Sequence, residues 1–153
     1  MIEMKCCDIL GTRILVTNMA DTVERIEHDM EELRGKYICV GNVHTTVMAH
    51  YDAHYHEVQK SAAFVLPDGK PLSVYSRKHG FPEAERVTGP DLMLELFARE
   101  NGLKHYFYGG SPETLQMLEQ KLRERYPHLQ IAGMVSPPFR SLSEKEDAAE
   151  VEK

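Results

Sequence analysis

Two kinds of segment alternate along this chain: short apolar runs, and longer stretches in which apolar residues recur every three or four positions. The runs are typical of buried strands, and the periodic stretches are typical of helices with one apolar face. Strands are predicted at residues 13–17, 37–40, 104–108 and 129–135, with another ending at Asp68, and helices at 21–33, 43–60 with a break near Asp52, 72–79, 89–100, 112–126 and 143–153. This order predicts an α/β fold in which a mainly parallel sheet carries helices on both faces.

A length of 153 residues predicts one domain over residues 1–153, since no repeat, low-complexity segment or linker divides the chain. The formal net charge of −6 argues against nucleic-acid binding, which relies on a basic face. The first ten residues lack an apolar signal segment, and no stretch approaches the roughly 20 apolar residues that span a bilayer. Three cysteines without metal spacing suit a reducing compartment. These features predict a cytoplasmic location.

Asp68 is the first candidate functional residue. It follows the apolar run 62–66 and Pro67, and Gly69 comes directly after it. The carboxyl ends of parallel strands are where α/β proteins bind ligands, so a carboxylate there is expected to face a crevice. A plain Asp-Gly turn explains the segment equally well.

Gly109 and Gly110 lie between a predicted strand and a predicted helix that begins with Ser111 and Pro112. Free N–H groups and the helix dipole favour an anion at such a turn, although a plain strand-to-helix turn also accounts for it. In a parallel sheet this turn is expected at the same edge as Asp68. Arg86 is a candidate donor to a phosphate or carboxylate, but taken alone it is more simply a surface arginine paired with a nearby glutamate.

The histidines near residues 50–56 raise the question of a metal site. His50 and His54 have the i, i+4 spacing that brings side chains to one helix face. The zinc-protease pattern is missing because no Glu follows the first His, and His56 would point elsewhere. The pattern therefore favours a polar helix face, with metal binding as the alternative, and no metal site is predicted.

The order of the short motifs is more specific than any one of them. The chain contains, in succession, Gly41-Asn42, Leu66-Pro67-Asp68-Gly69, Arg86-Val87-Thr88-Gly89-Pro90-Asp91-Leu92, Tyr108-Gly109-Gly110-Ser111-Pro112, Tyr126-Pro127 and Pro138-Phe139. This succession, from residue 8 to residue 139, closely resembles the WecG/TagA/CpsF glycosyltransferase family. The resemblance implies a Rossmann-like fold and inverting transfer of a hexosamine-type sugar, such as N-acetylmannosamine, from a UDP donor. It also implies that neither a cofactor nor an essential metal is needed.

The resemblance further implies an acceptor saccharide linked to polyprenyl diphosphate at the inner face of the cell membrane, and products such as teichoic acid or other envelope polysaccharides. Asp68 would be the general base that accepts the proton of the acceptor hydroxyl. Asn42 would position the sugar, with Thr45 nearby, and Arg86 would steady the diphosphate as UDP leaves. Gly109 and Gly110 would form part of the nucleotide-side wall.

Two departures from the family pattern are visible. Many members have a threonine two residues before the asparagine, where this chain has Val40. The family pattern also continues past the Pro-Phe block into a further strand, a Pro-Lys-Gln-Glu-type motif and a membrane-binding appendage. The chain is therefore expected to be incomplete at its C-terminus, lacking part of the uridine pocket and the peripheral membrane contact.

These departures keep a second hypothesis open, a non-catalytic nucleotide-sugar-binding module of the same fold. A nucleotide-dependent oxidoreductase is disfavoured because the dinucleotide-binding glycine pattern is absent. The loss of a C-terminal section would expose apolar surface, so a homo-oligomer is a further expectation.

Overall fold

The computed structural model describes residues 4–151 and divides into two compact units, with the boundary between Leu96 and Phe97. The predicted α/β fold with mainly parallel strands is confirmed, since three of the four strand pairings in the described residues are parallel. None of the helices between residues 4 and 151 combines the length and apolar character that a membrane crossing requires. A single domain over residues 1–153 stays a prediction.

The first unit is built on a four-stranded sheet in the order β1-β2-β4-β3. Its elements in chain order are β1 (Cys6–Ile9), β2 (Thr12–Leu15), α1 (Met19–His28), α2 (Met30–Leu33), β3 (Ile38–Gly41), α3 (Val43–Tyr51), α4 (Ala53–Ser61), β4 (Phe64–Pro67), α5 (Lys70–Lys78) and α6 (Gly89–Phe97), whose last residue falls in the second unit. Strands β2, β4 and β3 run parallel, while β1 returns antiparallel against β2. The carboxyl ends of β3 and β4, which are followed by the candidate residues, therefore lie on the same side of the sheet.

Alternate residues of β4 pack into two separate cores, one on each side of the sheet. Phe64 and Leu66 join the core that contains Val23 of α1, whereas Val65 joins the core that contains Leu72 of α5. Because successive side chains of a strand point to opposite faces, β4 is buried on both sides. The prediction of helices on both faces is confirmed in this unit.

Strand β1 was absent from the sequence prediction. It pairs with β2 through a two-residue turn in which Leu10 has φ 55° and Gly11 has φ 87°. Positive φ at both positions is the geometry that two-residue hairpins favour, but Asn-Gly is its usual sequence signal. Because a leucine occupies the first position of the turn, the turn was not predicted from the sequence.

Most helix predictions hold, although the helix predicted at 89–100 ends at Phe97. The predicted helix 21–33 is divided at Asp29. The break predicted near Asp52 is confirmed because Asp52 caps α4 by accepting from the Tyr55 N–H.

The run 37–40 was expected to be a buried strand, but β3 is the outermost strand of the sheet and Val40 is 39% exposed. Cys39 is partly buried, and this burial raises the pKa of its thiol, in keeping with an apolar role.

The second unit contains a two-stranded parallel sheet, β5 (Lys104–Tyr108) and β6 (Gln130–Val135), with α7 (Pro112–Arg125) and α8 (Glu144–Val151). Phe97, Leu122 and Tyr126 form its core. Ser111 caps α7 as predicted, accepting from the Thr114 N–H at 3.2 Å. The last two residues of the predicted helix 143–153 lie outside the described residues.

Candidate active site

Asn42 and Asp68 follow the adjacent parallel strands β3 and β4. Gly41 and Pro67 are register partners at the ends of these strands, and the Asp68 N–H donates to the Gly41 carbonyl at 2.9 Å. This bond continues the ladder by one residue beyond β4. The main chain of Asp68 is thus fixed, while its side chain, beyond the carboxyl end of β4, remains 29% exposed.

Gly69 brings the Asp68 turn close to the start of α3. A Cβ atom at Gly69 would lie 3.4 Å from the Cα and Cβ of Asn42. Gly69 has φ −77°, so no left-handed conformation requires glycine there. This contact lies between the segments that carry Asn42 and Asp68.

Arg86 contacts Asp68 through both the main chain and the side chain. Its Nε donates to the Asp68 carbonyl at 2.6 Å, and its Nη2 lies 3.7 Å from the Asp68 Oδ1. The next residue, Val87, is fully buried and its N–H donates to the Pro67 carbonyl at 3.0 Å. The backbone carrying Arg86 is therefore tied to the end of β4, while about half of its side chain, 53%, remains exposed.

Asn42 and Thr45 form a capping box at the start of α3. The Asn42 Oδ1 accepts from the Thr45 N–H at 3.1 Å, and the Asn42 N–H donates to the Thr45 Oγ1 at 2.9 Å. These bonds satisfy main-chain groups that a helix start leaves open. The Asn42 oxygen and the Thr45 hydroxyl therefore have structural partners, whereas no hydrogen bond is seen for the Asn42 Nδ2 in the described structure.

Val40 lies against the start of α6. A Cβ atom at Gly89 would be 3.5 Å from the Val40 Cγ1. Just before this helix, Thr88 accepts from the Asp91 N–H at 3.1 Å and donates to the Asp91 Oδ2 at 2.5 Å. Thr88 and Asp91 belong to the motif 86–92 but were not predicted as site residues, although Thr-x-x-Asp before an apolar run is a recognisable helix-start pattern.

Gly109 and Gly110 belong to the second unit. Both have positive φ, 129° and 79°, which explains glycine at these positions. The Gly109 N–H donates to the Val135 carbonyl at 2.9 Å, and the Ser136 hydroxyl donates to the Gly110 carbonyl at 2.7 Å. Their predicted nearness to Asp68 stays a prediction.

The histidine spacing does not produce a shared helix face. His50 lies in α3 and His54 in α4, and the helix is interrupted between them at Asp52. The predicted single helical face is therefore wrong for this pair. Within residues 4–151, no group of three or more His, Cys, Asp or Glu side chains is arranged to hold a metal ion.

The arrangement around Asp68 has the parts of a proton-transfer and anion-binding site. A partly exposed carboxylate can accept a proton, and a partly exposed guanidinium can donate several hydrogen bonds to phosphate oxygens. The amino ends of α3 and α5 adjoin them and add positive potential. A cavity of about 570 Å³ lies beside the carboxyl end of β2; Asn42, Asp68 and Arg86 do not line it, whereas Thr17, Asp21, Arg25 and Glu83 are among the residues that do.

Comparison with known proteins shows which family and which proteins this chain is similar to. Residues 7–153 match the model of the glycosyl transferase WecG/TagA/CpsF family. The chain is similar to the N-acetylglucosaminyldiphosphoundecaprenol N-acetyl-beta-D-mannosaminyltransferase of Bacillus subtilis (strain 168), with 28% identity covering 77% of this chain and 46% of the relative. The proteins of the same name from Bacillus spizizenii and Staphylococcus aureus (strain NCTC 8325) are 27% and 26% identical, covering 68% and 82% of this chain and 41% and 51% of the relatives.

The chain thus spans about half the length of the curated relatives it matches. The matched residues include both strand ends of the first unit and the glycine turn of the second. A match of this length is much longer than a single shared motif. The chain belongs to the WecG/TagA/CpsF family of glycosyl transferases.

Proposed function

We propose that this chain carries the catalytic region of a glycosyltransferase that moves a hexosamine-type sugar from a UDP donor to a lipid-linked saccharide. The observation that carries the proposal is the contact between Asp68 and Arg86 at the end of β4, beside Asn42. The names of the relatives, which specify an N-acetylmannosaminyl group and a diphosphoundecaprenol acceptor, support the choice of sugar and acceptor.

Asp68 acts in this proposal as the general base. The acceptor hydroxyl gives its proton to the carboxylate while its oxygen forms a bond to the anomeric carbon of the donor sugar. The bond between that carbon and the diphosphate oxygen breaks, and its electron pair leaves with UDP. Attack from the face opposite the leaving group inverts the anomeric centre.

Arg86 stabilises the leaving diphosphate. The negative charge on UDP increases as the sugar–oxygen bond breaks, and a guanidinium already held in position stabilises that charge without further ordering. The bond from its Nε to the Asp68 carbonyl holds the side chain while leaving its other donors for phosphate oxygens. We propose that neither a metal nor a cofactor is required.

Asn42 positions the donor sugar through its Nδ2, since its Oδ1 accepts from the Thr45 N–H. Thr45 supports Asn42 by closing the capping box, and this is a positioning role. Gly109 and Gly110 contribute to the nucleotide side. Action on a polyprenyl-linked acceptor would bring the protein to the inner membrane face as a peripheral protein and serve envelope polysaccharide synthesis, such as that of teichoic acid.

A second candidate is a module that binds the nucleotide sugar without transferring it. Val40 favours this candidate because it provides no hydroxyl beside Asn42 and instead packs against Gly89. Calorimetry with UDP and a transfer assay with UDP-N-acetylmannosamine and a lipid-diphosphate N-acetylglucosamine acceptor separate the two. Binding with turnover supports the transferase, binding without turnover supports the module, and no UDP binding at millimolar concentration contradicts both.

A further inference from the structure

A second cavity, of about 280 Å³, lies in the first unit at the opposite end of β4 from Asp68. Its floor is the segment 62–65, where the chain leaves α4 and enters β4; Ala62 and Ala63 are half-buried there, while Phe64 and Val65 are buried in the two cores. The β1–β2 hairpin forms one wall and the last turns of α4 form the other. The volume is close to the lower limit of small-molecule pockets, which is about 300 Å³.

The charged groups lining this cavity are mainly basic. Arg13 and Lys60 line it together with a single carboxylate, that of Asp8, and the imidazole of His56 adds a further polar group. Lys60 contacts Glu57 at 3.4 Å, but both side chains are more than 60% exposed, so this pair contributes little. A basic cavity stands out in a chain whose formal net charge is −6.

Arg13 forms no ion pair in the part of the chain that the structure describes. Asp8 is its register partner across the hairpin, yet the Asp8 Oδ1 accepts from the Gly11 N–H at 3.1 Å instead. Cys6 lies beside the guanidinium, and burial raises the pKa of the Cys6 thiol although Arg13 opposes that shift. Arg13 also hydrogen-bonds the Cys6 side chain, but a neutral thiol supplies no counter-charge, so the remaining guanidinium donors are available for an anion.

The cavity wall is held by a buried side chain whose polar atoms are already bonded. Gln59, only 4% exposed, accepts from the Thr12 hydroxyl at 3.2 Å and donates to the Thr45 carbonyl at 3.3 Å. These bonds connect α4 to β2 and to α3. The cavity therefore combines a fixed wall, an apolar floor and two exposed cations, of which Arg13 has no carboxylate partner in the described residues and Lys60 has only the exposed pair with Glu57.

We propose that this cavity binds a small organic anion, a carboxylate or phosphate monoester with an apolar body, between Arg13 and Lys60. The anionic group would take guanidinium donors, and the apolar body would lie on Ala62 and Ala63, the half-buried part of the floor. Binding would add a further connection between the hairpin and α4, beside the bond between Gln59 and Thr12. The site is separate from the one around Asp68, so its occupation does not depend on the proposed transferase activity.

The test is an NMR titration of the ¹⁵N-labelled 153-residue chain with phenyl phosphate, benzoate and inorganic phosphate. Phenyl phosphate or benzoate is expected to shift the amide signals of Gly11, Arg13 and His56, and to bind more tightly than inorganic phosphate. Whichever of the two binds more tightly identifies the preferred anionic group. Equal binding of inorganic phosphate would overturn the role of the apolar floor, and shifts confined to Asn42 and Gly69 would overturn the site.

Two charge-removing variants complete the experiment. Arg13→Gln is expected to weaken binding at least about tenfold, since it removes a charge-assisted hydrogen-bonding group. Lys36→Gln removes one positive charge from an exposed residue outside the cavity and is the matched control. Unchanged affinity in Arg13→Gln, or an equal loss in Lys36→Gln, would contradict the proposal. Lys60→Gln provides an independent second variant with the same expected direction.

Discussion

Arg86 donates from its Nε to the main-chain carbonyl of Asp68 at 2.6 Å, while its Nη2 lies 3.7 Å from the carboxylate of the same residue. The short main-chain bond persists whatever the side chain of Asp68 does. The longer side-chain distance leaves the carboxylate accessible to another partner. The pair therefore combines a fixed guanidinium with a carboxylate that can accept a proton.

Asp68→Asn tests the general base. The amide cannot accept the hydroxyl proton, so transfer is expected to fall by about 10²- to 10⁴-fold in the assay with the lipid-linked acceptor. UDP affinity and the thermal unfolding midpoint should change little, because the main-chain bonds of residue 68 remain. Asp52→Asn is the matched control, since either residue caps a helix well. Retained turnover in Asp68→Asn would remove the base assignment.

Arg86→Lys tests the diphosphate contact. A lysine keeps the charge but cannot bond the Asp68 carbonyl and a phosphate in the same planar geometry. UDP affinity measured by calorimetry is expected to fall about tenfold or more, with folding preserved because Val87 remains buried. Arg34→Lys, at a well-exposed residue paired with Glu31, should leave affinity unchanged. Equal UDP binding by the wild type and Arg86→Lys would contradict the assignment.

The positions of Asn42 and Asp68 could be predicted because they follow from a local pattern and one general rule. Apolar runs locate the strands, and parallel strands bring their carboxyl ends to the same edge. The structure confirms that the two segments adjoin, with Gly69 against Asn42. The break between α3 and α4 could also be predicted, since Asp52 is a good helix cap.

The contact of Arg86 with Asp68 could not be predicted from residue types or spacing. Residues 79–88 have no helical or strand periodicity, and two long-range bonds fix their path. These bonds run from the Glu85 N–H to the Thr17 carbonyl and from the Val87 N–H to the Pro67 carbonyl. Such contacts depend on how the whole sheet is assembled. Sequence alone therefore favoured a pairing of Arg86 with a nearby glutamate over this one.

Gly41→Ala tests the packing of β3 against β4. A Cβ atom at Gly41 would lie 2.8 Å from the Val65 Cγ1, so the edge strand or the core must shift. We expect the free energy of unfolding in urea to fall by about 1–3 kcal/mol. Gly69→Ala is the comparison, since its nearest contacts are wider, at 3.4 Å, and the loss expected there is at most about 1 kcal/mol, from replacing the glycine N-cap of α5. Similar losses in both variants would show that Gly41 packing has no special role.

Glu146 gives α8 a predicted dependence on pH. Arg140, together with the Ser143 N–H and hydroxyl, lowers the pKa of Glu146 from 4.5 to about 2. A carboxyl whose pKa is lower in the folded state stabilises the fold above its ordinary pKa and loses that effect as pH falls. NMR shifts of α8 should therefore lose helical character between about pH 4.5 and pH 2. Glu146→Gln should weaken this dependence, Glu144→Gln should preserve it, and a pH-independent helix would contradict the expectation.

Asn42 has two roles that substitution can separate, capping α3 and positioning the sugar. Asn42→Ala removes both, so the free energy of unfolding should fall by about 1 kcal/mol and transfer should fall as well. Serine keeps an oxygen that can accept from the Thr45 N–H but has no amide donors. Asn42→Ser should therefore retain most of the stability in urea unfolding, while its transfer rate should fall about as much as that of Asn42→Ala. If Asn42→Ser kept both the stability and the transfer rate of the wild type, the Nδ2 would have no part in binding the sugar. The helix cap alone would then explain the asparagine.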